Sequence, residues 1–168
     1  MKNDIQLSEH LTSSSALTLS HSNMLDDLRL TEHFKLSEFT RSATATARKI
    51  DNTPSQEVIS NLKALCQNVL EPLRAFAGQP IIIGSGYRSP ALNKAVGGVK
   101  NSQHMTGEAT DIHLPDNATG RKWFRWLMDN THFDELIWET SDRKRYWIHI
   151  ALRPSGNRQR VVSFLLKK

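Results

Sequence analysis

The chain has 168 residues, of which 38% are hydrophobic and 23% charged, and a net charge of +5; that is length enough for one domain with a core of its own. Its single cysteine, Cys66, excludes an intramolecular disulfide framework and a Cys-rich zinc finger, so a metal site has to be built from His and carboxylates. No apolar run is long enough to span a membrane, and none of signal-peptide length follows Met1-Lys2, so the expectation is a protein made in the cytoplasm, with no membrane partner.

Residues 1–33 hold Ser13-Ser14-Ser15 and few large apolar side chains, and are expected to form a flexible N-terminal arm, with room for a short helix over residues 24–30. Residues 1–40 carry three basic and six acidic side chains, net −3, which leaves +8 for the remainder. The basic part is the folded part. That charge suits a polyanion, either nucleic acid or an anionic cell wall, but a solvated surface is the more ordinary explanation of it. Arg143-Lys144-Arg145 beside Tyr146 and Trp147 is the best nucleic-acid candidate, but no base-reading motif accompanies it, and no nucleic-acid partner is expected.

The folded domain is expected over residues 34–168, opening with Phe34, Leu36 and Phe39 packed on the core. Thr53-Pro54-Ser55-Gln56 reads as a helix start, with Thr53 as N-cap, Pro54 at the first helical position and Gln56 reaching back. Val58, Ile59, Leu62, Leu65, Cys66, Val69 and Leu70 then recur at helical spacing, and Pro72 should break or restart the helix before Gly78 ends it. Gln79-Pro80-Ile81-Ile82-Ile83 reads as a buried strand running into the loop Gly84-Ser85-Gly86-Tyr87-Arg88-Ser89-Pro90. Pro90 begins a short helix closed by Gly97-Gly98.

Ser102-Gln103-His104-Met105-Thr106-Gly107-Glu108-Ala109-Thr110-Asp111-Ile112-His113 follows. Gly107 can turn the chain there, so that an imidazole from a loop, His104, comes beside a carboxylate on the next strand, Asp111. On that strand Ile112 and Leu114 face the core while Asp111 and His113 face away. A helix over residues 118–130 presents Trp123, Phe124, Trp126 and Leu127 on its apolar side. Residues 135–139 and 146–152 make a hairpin, and residues 158–166 a last strand. In the second hairpin strand Ile148, Ile150 and Leu152 alternate with Trp147, His149 and Ala151, which sets His149 opposite the core. Two His and one carboxylate, with a fourth position left to water, is the composition of a catalytic zinc site. The order of elements is that of an α+β fold, an antiparallel sheet with helices packed on one side.

These residues carry a resemblance. Ser85-Gly86-Tyr87-Arg88-Ser89-Pro90, then Asn93 and Gly97-Gly98, then the segment from Ser102 to Ile112, and lastly Trp147-Ile148-His149 resemble the zinc D-Ala-D-Ala carboxypeptidase family of cell-wall peptidases, which includes phage endolysins and D-Ala-D-Ala dipeptidases. The likeness runs from about Phe34 to the C-terminal strand. It implies that His104, Asp111 and His149 bind zinc, that Arg88 holds the substrate carbonyl or carboxylate, and that Ser102 supports substrate binding. The family's best-known members carry their catalytic glutamate three residues before the last His; here that position is Tyr146. Other branches place a His two residues before it, where this chain has Trp147. The nearest acidic substitute is Glu139, in a Leu-Ile-Trp-Glu segment similar to that of one branch, and it reaches the metal face if it pairs with Trp147 across the hairpin.

The resemblance implies hydrolysis of peptidoglycan stem peptides, by a carboxypeptidase or an endopeptidase, with Zn2+ activating a water whose proton Glu139 accepts. Trp147 and His113 would line the substrate pocket. A wall-acting enzyme without a signal peptide further suggests a phage or prophage origin and release by a lysis partner, and a monomer is expected. The alternatives are a zinc-binding fold without catalysis that binds the wall or a protein partner, and a basic nucleic-acid-associated protein. Each residue alone has an ordinary explanation, His104 and His149 as hydrogen-bonded histidines, Asp111 as a turn cap and Arg88 as a surface ion pair. Their combination at these spacings is what points to a metal site.

Overall fold

A computed structural model describes residues 28–141 and 145–163 of the chain. Most of the expected N-terminal arm, two residues of the Arg143-Lys144-Arg145 run and the end of the last expected strand lie outside the described residues. Leu28, Arg29 and Leu30 are not helical; Arg29 instead makes an isolated bridge with Lys35. Leu30 is already buried in the core, and the Glu71 carboxylate accepts the His33 backbone amide at 2.9 Å and meets its ring Nδ1 at 2.7 Å, so packing begins ahead of Phe34.

Two short helices open the domain, α1 (Leu36–Thr40) and α2 (Ala43–Arg48). The central helix α3 (Gln56–Leu65) starts later than its sequence suggests. Asp51 Oδ1 accepts the Thr53 amide at 2.9 Å and holds that segment in a turn, so Pro54 stays in the connection; the cap is Ser55, whose hydroxyl accepts the Val58 amide at 3.3 Å. A π turn, Cys66–Leu70, carries the chain from α3 into α4 (Glu71–Ala77), with Pro72 in the first turn of α4. Proline has no amide to donate backwards, and the wider turn lets the helical path resume without that bond. Gly78 ends α4 at φ +63°.

The strands are β1 (Ile82–Ser85), β2 (Ala109–His113), β3 (Glu135–Thr140), β4 (Tyr146–Ala151) and β5 (Arg160–Val162), in one sheet of order β1-β2-β4-β3-β5. Pairings are antiparallel except β3 with β5, which is parallel. The strand expected to be buried after Gly78 is instead the sheet edge: Ile81 and Ile83 are buried but Ile82 is 51% exposed. Between β1 and β2 lie α5 (Pro90–Ala95) and a 3-10 turn (Gln103–Thr106), and α6 (Asn117–Asn130) leads from β2 to β3. One sheet face carries Ile112, Leu136, Trp138, Ile148 and Ile150 into a core shared with α3, α4 and α6; Phe76 of α4 stacks on Trp126 of α6 at 4.9 Å. The helices therefore leave the opposite face of β2, β4 and β3 free for a cleft. No helix among the described residues is long and apolar enough to cross a membrane.

Candidate functional site

The free face gathers the metal-type residues through strand register. β2 and β4 pair so that Asp111 stands opposite His149, and β3 and β4 pair so that Ile137 stands opposite His149 and Glu139 opposite Trp147. Directly paired residues share a sheet face, so all of these side chains look the same way. His104 arrives from the 3-10 turn. Gly107 then turns the chain back at φ +72° against α3, so closely that a Cβ there would stand 2.6 Å from the Val58 carbonyl oxygen. Asn61 Nδ2 clamps the same turn through the Thr106 carbonyl at 2.9 Å. One ligand-type atom from each of His104, Asp111 and His149 lies within 4.8 Å of the others.

Hydrogen bonds orient the cluster. Nδ1 of His104, a side chain only 2% exposed, lies 2.6 Å from the Gly86 carbonyl oxygen. A carbonyl only accepts, so Nδ1 carries the proton and Nε2 presents its lone pair to the cluster. That Nε2 lies 3.3 Å from Asp111 Oδ1, and His149 Nδ1 lies 2.9 Å from the same oxygen. Burial alone would raise the Asp111 carboxyl, but its close approach to the His104 and His149 rings overrides that and holds Asp111 well below the usual carboxylate range. Two ring nitrogens and one ionised carboxylate, with one tautomer fixed from behind by a backbone carbonyl, form a donor set suited to zinc.

Arg88 lies beside the cluster, its backbone amide donating to the His104 carbonyl at 3.1 Å and its Nη2 4.0 Å from Asp111 Oδ2. Burial lowers its pKa, against the pull of Asp111 and Glu139, and its Nε is buried with no partner among the described residues. Such a donor is available for a ligand oxygen. On the other side Glu139 shares the cleft wall with Trp147, its partner across the hairpin. Burial first, and then the negative charge of Asp111, push the Glu139 carboxyl above its ordinary value. A carboxyl raised in this way beside a candidate metal site has the character of a general acid/base. Tyr146, three residues before His149, packs its ring 5.8 Å from Trp138 on the core side of β4, so strand alternation turns it away from the cluster.

The cleft has a volume of about 630 Å³ and takes in His104, Asp111, His149, Arg88, Glu139 and Trp147. Ser102 is buried in its wall, with its backbone oxygen accepting the Met105 amide at 3.0 Å. Asn93 and Gly97-Gly98 shape its rim: Asn93 Nδ2 donates to the Val99 carbonyl at 2.9 Å, and Gly98 lies so close to Asn93 that a Cβ would stand 2.0 Å from its Oδ1. His113 shares the sheet face but opens into a neighbouring pocket with Asp116, Arg145 and Tyr146, a pocket that also touches Asp111 and Trp147. Glu108 is half-buried outside the metal cleft, where Gln103 Nε2 donates to it at 3.4 Å.

Sequence reading missed three charged residues at the far end of the cleft. Arg153 and Arg158 line it, and both are tied to Asp134, which is fully buried. Arg158 donates to both Asp134 oxygens, from Nε at 2.8 Å and Nη2 at 2.6 Å, and these bonds hold the carboxyl below its usual range. Only Asp134, set between the apolar Phe133 and β3, hinted at this from sequence, since a carboxylate in such a place needs a cationic partner.

A family model described as Peptidase M15 matches residues 32–151. The match takes in His104, Asp111, His149, Arg88 and Glu139 and stops two residues short of Arg153. No curated protein matches the chain.

Proposed function

The chain belongs to the peptidase M15 family, and from that premise we propose that it is a zinc peptidase that hydrolyses peptide bonds of peptidoglycan stem peptides. The observation that carries this reading is the juxtaposition, in one cleft, of the His104, Asp111 and His149 donor atoms within 4.8 Å of one another with the Glu139 carboxyl. His104 through Nε2, His149 through Nδ1 and Asp111 through its carboxylate would hold the metal. When bound, zinc supplies Lewis acidity, polarising the scissile carbonyl and acidifying water.

The chain's own residues supply the rest. Glu139 takes a proton from the attacking water onto a carboxylate oxygen as the new C–O bond forms. It then passes that proton to the leaving nitrogen as the C–N bond breaks, so the products are one new carboxylate and one new amine. Trp147 stands opposite Glu139 on the same sheet face and lines the cleft beside it. Arg88 stabilises negative charge on the substrate carbonyl oxygen, or anchors a terminal carboxylate. The cationic side chains Arg88, Arg153 and Arg158 suit a stem peptide, which is acidic.

Purified stem peptides incubated with the protein should yield one new amino group per cut, and mass spectrometry of the products identifies the bond and separates carboxypeptidase from endopeptidase action. The competing reading, a zinc-binding module without turnover, is favoured by the Tyr146 replacement of the usual glutamate. It predicts bound peptide and no new termini, and that result would remove the peptidase proposal.

A further inference from the structure

The cleft continues beyond the metal cluster. A second pocket of about 570 Å³ adjoins it, and Asn101, Ser102, Gln103 and Arg153 belong to the walls of both. Arg153, just past the end of β4, thus stands where the two spaces meet. Behind it Asp134, with no exposed surface, lies 3.1 Å from Arg153 Nε and is bonded also by Arg158. A buried carboxylate keeps its charge only when paired, so Asp134 fixes the Nε edge of the Arg153 guanidinium. The other edge is open: the side chain is 39% exposed, and neither Nη has a partner among the described residues.

Asp134 is already met by two hydrogen bonds from Arg158, and Glu135 by Arg158 and Arg160, so the Arg153 guanidinium is held by Asp134 along one edge alone. Glu108, in the second pocket's wall, accepts from Gln103 Nε2 at 3.4 Å, which orients its carboxylate without cancelling its charge. A guanidinium held along one edge and free along the other is pre-organised for two parallel hydrogen bonds to a carboxylate.

We propose that Arg153 binds a free carboxylate of an acidic peptide lying across the metal cluster, and so fixes on which side of the scissile bond that carboxylate sits. The proposal deepens the peptidase reading and rests on it, but its test is binding, which does not depend on turnover. The probes are a synthetic stem tetrapeptide with its free carboxylates and the same peptide with each carboxylate amidated in turn. They are titrated by calorimetry into the full chain, equilibrated with zinc and carrying Glu139→Gln so that the peptide stays intact, with Arg153 retained or replaced.

With Arg153 present, amidation of one particular carboxylate should weaken binding by about tenfold or more, as expected for a charge-assisted pair. In Arg153→Gln that same amidation should cost nothing, and Arg153→Lys should recover part of the difference while keeping a cation on Asp134. The fully amidated peptide should bind all three chains alike, which shows that the cleft is intact. The proposal is overturned if each amidation costs Arg153→Gln as much as it costs the parent, if no amidation matters in the parent, or if no peptide of the set binds. Absence of new termini from the wild-type chain would instead remove the peptidase reading and leave this result standing by itself.

Discussion

Replacing Glu139 with glutamine leaves the zinc content unchanged and lowers kcat for peptide hydrolysis by about 100- to 10,000-fold, the range a positioned general acid/base contributes. The substitution keeps the shape of the side chain and its place opposite Trp147 on β3. It removes the capacity to take and return a proton. Glu139 is not one of the three clustered donors, so the loss should fall on turnover and not on metal. Tyr146 cannot take over, because β4 turns it to the core side, and Glu108 lies outside the metal cleft. Steady-state kinetics with metal analysis on the same preparation separates the two effects. An unchanged kcat would assign the base elsewhere, and a parallel loss of zinc would make Glu139 a ligand.

Removing a ligand has a different signature. His149→Ala leaves two donors of three and takes away the side chain that meets Asp111 at 2.9 Å. Zinc affinity should fall by more than the 10- to 100-fold typical of losing an outer partner of a metal site, and hydrolysis should fall with it. Stability reports the same loss independently. A ligand that binds only the folded chain stabilises it by roughly 2.7 kcal/mol at a hundredfold excess over its Kd, so wild type should melt higher with zinc than without, and His149→Ala should melt alike in both. A variant that retained wild-type zinc affinity would show that His149 is not in the donor set.

The register that makes Glu139 available was only half legible: alternation in β4 placed Trp147 and His149 away from the core, but a one-residue slip of the hairpin would have turned Glu139 to the other face, and the pairing of Glu139 with Trp147 comes from the structure. The Asp111–His149 pairing was not legible from periodicity, because it joins strands distant in sequence and only the motif spacing hinted at it. The long apolar pattern of Val58 to Leu70 correctly marked the main helix, yet its cap moved to Ser55 because an Asp51 turn had already engaged Thr53. Helix α2 left no trace in the pattern, since Ala45 is its only buried residue. Three isoleucines in a row read as a buried strand, but an edge strand buries alternate residues, and Ile82 faces out. Arg153 escaped notice because its role depends on Asp134, which tertiary packing brings behind it.

The most direct test of a zinc-dependent peptidase in this cleft is the release of amino groups from purified peptidoglycan by one wild-type preparation, measured as purified, after chelation, and after zinc is returned. The expected result is about one zinc per chain at the start, release that stops when the metal is removed, and release that resumes when zinc is restored. Release that continues in fully metal-free protein would contradict the assignment of His104, Asp111 and His149 as the ligands of a catalytic zinc.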